Sequence, residues 1–147
     1  TGFETAQPGM IRDRLVQLAC DIDDMTGEEL GFATDTLRKV AGVVDVMLLN
    51  AQGKKSRPVV RIELLVHLDH AEGVAERVFD LTTTLGIRRT VVDRLILPRD
   101  AETTPEGHRR KRTQRPAGHK TVKIESDDLN DSATLADRRA TARDLEI

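Results

Sequence analysis

The chain of 147 residues has no tryptophan, no tyrosine and three phenylalanines. So thin a supply of aromatic rings argues against a base-stacking platform of the kind that grips single-stranded nucleic acid. There is one cysteine, Cys20, in an apolar stretch. A solitary thiol excludes a disulfide framework within the chain and agrees with a reducing, cytoplasmic setting. No apolar run approaches the roughly 20 residues of a membrane span, and no signal-peptide pattern opens the chain. Thr1 suits either removal of an initiator methionine or a fragment of something longer. The net charge is -2 although 33% of residues are charged, so the chain as a whole has no polyelectrolyte character. The balance is locally uneven. Arg109, Arg110, Lys111, Arg112, Arg115 and Lys120 crowd a stretch without a single acid, whereas the last segment is mostly acidic.

What is present reads as one domain with a real core. Apolar and polar residues alternate through 15–22 and most clearly through 60–68, and together with the stretches 44–49 and 87–97 these predict four strands. Thr26 and Glu29 fit a capping box at the start of a helix whose apolar face is Leu30, Ala33, Leu37, Val40 and Ala41, with Gly42 placed to end it. Asp69 can cap a second helix, apolar at Ala71, Val74, Ala75, Val78, Leu81 and Leu85 and closed by Gly86. The order βαββαβ predicts an α+β fold, a ferredoxin-like sandwich with two helices over one antiparallel sheet. The expected division is a leader over 1–14, the sandwich over 15–98, and a basic loop with a small polar C-terminal appendage over 99–147. That appendage is expected to hold a short extended piece at 121–125 and a helix at 131–145 with Ala133, Leu135 and Ala136 inward. Its order is expected to depend on a partner subunit or a ligand.

Three stretches carry possible chemistry. At the first strand-to-helix corner Asp23, Asp24 and Glu28 stand together, an oxygen-rich set suited to Mg²⁺ or Mn²⁺ shared with a substrate's phosphates. The ordinary alternative is a solvated turn whose glutamates suit the helix dipole. The loop Gly53-Lys54-Lys55-Ser56-Arg57-Pro58 resembles the end of a P-loop but is not one. The upstream glycine would fall at Leu48, and a strand follows where a helix should begin. Three cations in a short loop remain, able to grip phosphates or simply to be solvated. Thr82, Thr83 and Thr84 close the second helix with poor helix formers, next to Arg88 and Arg89. Their hydroxyls suit a ribose or phosphate, or a crowded packing position. Arg94 and Arg99 add charge around the fourth strand. His67 and His70 straddle an element boundary and are not expected to share a metal; His108 and His119 flank the basic run and suit either a borderline metal or, as the expected reading, no ligand at all. No Ser-His-Asp or Cys-His pairing points to nucleophilic catalysis, and the sequence identifies no general base.

Taken together, the stretches 22–28, 54–58, 82–89 and 97–99 resemble the C-terminal domain of the LarC-type nickel-insertion proteins. Lys123-Ile124-Glu125-Ser126-Asp127-Asp128 is similar to a further element near that family's end. The resemblance implies a cyclometallase that inserts nickel into a pyridinium bisthiocarboxylic acid mononucleotide while CTP is hydrolysed to CMP and diphosphate. It implies Asp23, Asp24 and Glu28 as metal ligands and Lys54, Lys55, Arg57 and Arg88 around the triphosphate; Thr83, Thr84 and Arg94, read from the residues themselves, complete the expected nucleotide site. The implied cofactor is Mg²⁺ or Mn²⁺, with CTP as co-substrate and Ni²⁺ as substrate. Implied partners are further copies of the chain, as a trimer or hexamer, and a separate N-terminal half. The chain departs from the family's pattern at Asp21, Gly53, Leu81 and Ser126, where the family has Asn, Met, Glu and an aromatic.

A different class of function also fits, a non-catalytic nucleotide-sensing or assembly module of the same fold. Release of diphosphate from CTP separates the two. RNA binding through the basic run is a third reading, weakened by the lack of interleaved aromatics.

Overall fold

Alternation in the sequence becomes one buried sheet face. The computed structural model describes residues 4–7, 10–118, 120–125 and 134–145. In chain order the elements are β1 (Glu4–Gln7), β2 (Met10–Ile22), α1 (Gly27–Arg38), β3 (Val43–Gln52), β4 (Pro58–His67), α2 (Ala71–Leu81), β5 (Arg88–Ile96), β6 (Arg99–Thr103), β7 (Arg109–Gln114), β8 (Lys120–Ile124) and α3 (Leu135–Leu145). They form two compact units, Arg14–Arg94 and Thr1–Asp13 with Leu95–Ile147.

In the first unit the strands lie in the order β5-β2-β4-β3, with β2 antiparallel to β4 and β4 to β3. With the two helices this is the expected ferredoxin-like sandwich. Val16, Leu18, Cys20 and Ile22 of β2 and Ile62, Leu64 and Val66 of β4 point to the same side, because side chains alternate along a strand. Leu30 and Leu37 of α1 and Ala71, Val74 and Val78 of α2 close over them. Truncating Leu37 or Leu64 to alanine costs about 2–5 kcal/mol for such fully enclosed side chains.

The capping box forms as expected: the Glu29 amide donates to Thr26 Oγ1 at 3.1 Å and the Thr26 amide to Glu29 Oε1 at 2.8 Å. Helix α1 ends at Arg38, four residues before Gly42, which takes φ +89° in the turn to β3. A Cβ there would come within 2.2 Å of His70, so this turn requires glycine sterically as well as conformationally. The second helix departs from expectation at both ends. Asp69 falls in a single 3-10 turn and makes no cap bond, and α2 stops at Leu81, leaving Leu85 99% exposed. Thr82 is already extended and turns its hydroxyl back to the Val78 carbonyl at 2.8 Å.

The second unit holds strands where a leader and a basic loop were expected. Part of the leader is a strand, β1, paired with Met10–Arg12 of β2. The basic run is no loop: it is β7, central in the antiparallel sheet β6-β7-β8. Helix α3 begins at Leu135, and Leu135 and Ala136 are exposed where they were expected inward. His119, 126–128 and 131–133 lie outside the described residues. Among the described residues no helix is long and apolar enough to cross a membrane.

Candidate functional site

The sheet register brings the acidic corner and the second-helix threonines to one end of the first unit. Ile22 pairs with Val60, so β2 runs out beside the first residues of β4. Asp23 and Asp24 follow in an exposed bend, and Glu28 lies exposed in the first turn of α1. Thr83, released from the end of α2, donates its hydroxyl to the Asp24 carboxylate. Thr84 donates to the Gly86 carbonyl at 2.8 Å and lies beside the Cys20 thiol. Burial raises the pKa of that thiol, against the smaller lowering effect of Thr84.

The hairpin between β3 and β4 lies at the same end. Gln52 pairs with Pro58, and the Gly53 amide donates to the Arg57 carbonyl at 2.8 Å across its neck. Lys55 and Ser56 take φ of +57° and +58°, two successive non-glycine residues in the left-handed region. Such conformations cost of order 1 kcal/mol each and concentrate at functional turns. Lys54, Lys55 and Arg57 are exposed, and among the described residues none of their side chains has an ion-pair partner.

Sequence reasoning missed the centre of charge at this end. Asp21 faces Arg61 across β2 and β4. Arg61 donates to both carboxylate oxygens, at 2.7 and 3.1 Å, and Arg88 of β5 donates to Oδ2 at 3.2 Å. The Arg61 hydrogen bond above all, with help from Arg88, lowers the Asp21 pKa from 3.8 to about 2. Arg88, expected on the nucleotide, also reaches a carboxylate of its own chain while its side chain stays 60% exposed. No spacing rule could reveal this, since Asp21 and Arg61 meet only through strand register.

Arg94 is not brought to this end. Six residues along β5 from Arg88, it lies about 20 Å further on at roughly 3.3 Å per residue. The neighbouring Asp93 pairs with Arg14 near the opposite end of β2, at 3.0 Å. Asp23, Asp24 and Glu28 are close in the chain but do not form a ready cage. Among the described residues no group of three His, Cys, Asp or Glu side chains converges as metal ligands. Hard oxygens from one or two carboxylates do fit a Mg²⁺-like ion, which keeps several waters and takes its remaining ligands from phosphates. Beside the corner lies a concavity of about 450 Å³ lined by Met25, Glu28, Phe32, Asp80 and Thr83 among others.

A family model described as nickel insertion protein matches residues 3–141. A relative from Syntrophobacter fumaroxidans is 43% identical over 95 residues, covering 65% of this chain and 24% of its own length. The pyridinium-3,5-bisthiocarboxylic acid mononucleotide nickel insertion protein of Geobacillus kaustophilus is 40% identical over 86 residues, 58% of this chain and 21% of that protein. The chain thus spans about a quarter of the length of the curated relatives it matches. Among solved structures, the apo C-terminal domain of a cyclometallase involved in synthesis of the NPN cofactor of lactate racemase superposes with TM-score 0.78. It is 26% identical, covering 90% of this chain and 94% of that one.

Proposed function

Because this chain belongs to the nickel insertion protein family, as a C-terminal domain of the LarC type, we propose that it binds CTP and a divalent cation during nickel insertion. The reaction is insertion of Ni²⁺ into a pyridinium bisthiocarboxylate mononucleotide, coupled to hydrolysis of CTP, with one water consumed, to CMP and diphosphate. The observation that carries this reading is the clustering at one sheet end of Asp23, Asp24 and Glu28 with Thr83 and the cationic 54–57 hairpin. Asp23 and Asp24 would hold Mg²⁺ or Mn²⁺, and Thr83 keeps the Asp24 carboxylate oriented. The bound ion would neutralise phosphate charge as diphosphate leaves. Lys54, Lys55 and Arg57 supply the remaining positive charge from an exposed, pre-bent turn. Phosphoryl chemistry depends on such positioning and neutralisation more than on covalent help from the protein.

The same reading includes a homo-oligomer, trimeric or hexameric. Strand β3 is the sheet's edge and exposes Val44, Met47 and Leu48, a surface suited to pairing with another copy. Light scattering at tens of micromolar (a range that detects weak interfaces) should give a mass above the monomer. For nucleotide function, the chain is titrated calorimetrically with CTP, GTP and ATP in the presence of Mn²⁺, and diphosphate release is followed. Mn²⁺-dependent CTP binding with diphosphate release is expected. Binding without cleavage would favour the nucleotide-sensing module.

A further inference from the structure

The three-stranded sheet of the second unit sorts its charges by face. On one side the Glu102 carboxylate pairs with both Arg110 and Arg112, the latter at 2.9 Å. By strand alternation the other side carries Arg99, Lys111, Thr113, Thr121 and Lys123. Register sets Lys111 directly opposite Lys123, and Thr113 opposite both Arg99 and Thr121. Two lysines facing each other across an antiparallel pair repel, a local cost that the Glu125 carboxylate offsets at Lys111 and not at Lys123. Glu125 meets Lys111 at 2.6 Å. Among the described residues Arg99, Arg115 and Lys123 have no ion-pair partner.

These side chains line a concavity of about 660 Å³ with Ile96 and Leu97 in its wall and no carboxylate. That size suits a small ligand, within the range of roughly 300–1,000 Å³ usual for such sites. A single-stranded nucleic acid would want stacking rings, and the chain has no aromatic residue after Phe79.

We propose that this face binds a pyridine mononucleotide, its phosphate and ring carboxylates neutralised by Arg99, Arg115 and Lys123 and its ring set against Ile96 and Leu97. The identity of the ligand rests on the nickel-insertion reading above; the site itself lies wholly within the second unit. Thr113 and Thr121 add hydroxyl donors beside the cations.

The test uses nicotinic acid mononucleotide, which joins a pyridinium ring to one carboxylate and one phosphate. It is titrated calorimetrically into the full chain, and CTP with Mn²⁺ is titrated separately. Saturable binding is expected, weakening as salt rises. Lys123→Gln and Arg115→Gln should each weaken it about tenfold, the scale of one charge-assisted contact, while CTP affinity stays unchanged. Arg115 begins a turn outside the ladder, so its variant keeps the sheet intact if Lys123→Gln does not. Absence of saturable binding at millimolar probe, or unchanged binding in both variants, would overturn the assignment. Equal displacement by inorganic phosphate would overturn ring recognition, and tighter binding of a non-cognate RNA would reassign the face to polyanions. Loss of CTP affinity in both variants would instead make it part of the nucleotide site. Mononucleotide binding without any CTP cleavage would leave this face standing and remove the proposed reaction.

Discussion

Arg61 holds Asp21 in a two-pronged grip across neighbouring strands, and Arg88 reaches the same carboxylate from a third. The pair is partly exposed, with side-chain exposures of 41% and 37%, so its energy is modest but its sign is clear. A carboxylate whose folded pKa is depressed stabilises the fold above its unfolded value and loses that contribution as the proton returns. Here the window runs from about pH 4 down to about 2. Urea midpoints measured from pH 6 to 2 should fall more steeply in the wild type than in Asp21→Asn. Parallel curves would show that the pair is not coupled to folding.

The same substitution releases Arg88. An exposed ion pair is worth up to about 1 kcal/mol, so Asp21→Asn should tighten CTP by up to about fivefold. Unchanged affinity would place Arg88 outside the nucleotide's reach.

Neutralising both carboxylates of the corner, as Asp23→Asn with Asp24→Asn, should sharply weaken Mn²⁺-dependent CTP binding. Two hard ligands are lost and the phosphates' charge is left unbridged. Equal Mn²⁺-dependent affinity in the double variant would refute the metal assignment.

Lys55→Ala and Arg57→Ala should each cost about tenfold to a hundredfold in CTP affinity, the range for one charge-assisted phosphate contact. CMP lacks the outer phosphates and should change little. Parallel losses for both nucleotides would mean a general charge effect instead of a triphosphate grip.

Arg94→Gln is the contrasting substitution. Its position toward the far end of β5 places it about 20 Å from Arg88, so CTP affinity should match the wild type by calorimetry. A tenfold loss would bring Arg94 back to the nucleotide.

Cys20 is 3% exposed and burial raises its pKa. The thiolate is the reactive form, so a colourimetric thiol reagent at pH 8 should react in minutes only with unfolded chain. Rapid reaction of native protein would show that β2 opens readily.

Local patterns in the sequence determined much of the sandwich. Alternation in 60–68 and the Thr26–Glu29 capping box depend on neighbours a few residues away, and both appear where expected. Turn chemistry around β7 is equally local. Thr104-Pro105-Glu106-Gly107 and Arg115-Pro116-Ala117-Gly118 each close a turn, with the glycine amide donating to the first carbonyl at 2.9 Å. Proline at the second position and glycine at the fourth favour that geometry. The run's many charges hid a strand that these two turns frame. What only the tertiary structure decided depends on register: Asp21 opposite Arg61, Lys111 opposite Lys123, and Arg94 removed from Arg88. Side chains alternate with a period of two, so a one-residue slip between strands would exchange every such partner. Which slip wins depends on burying the whole apolar face at once, a property that no short stretch of the chain contains.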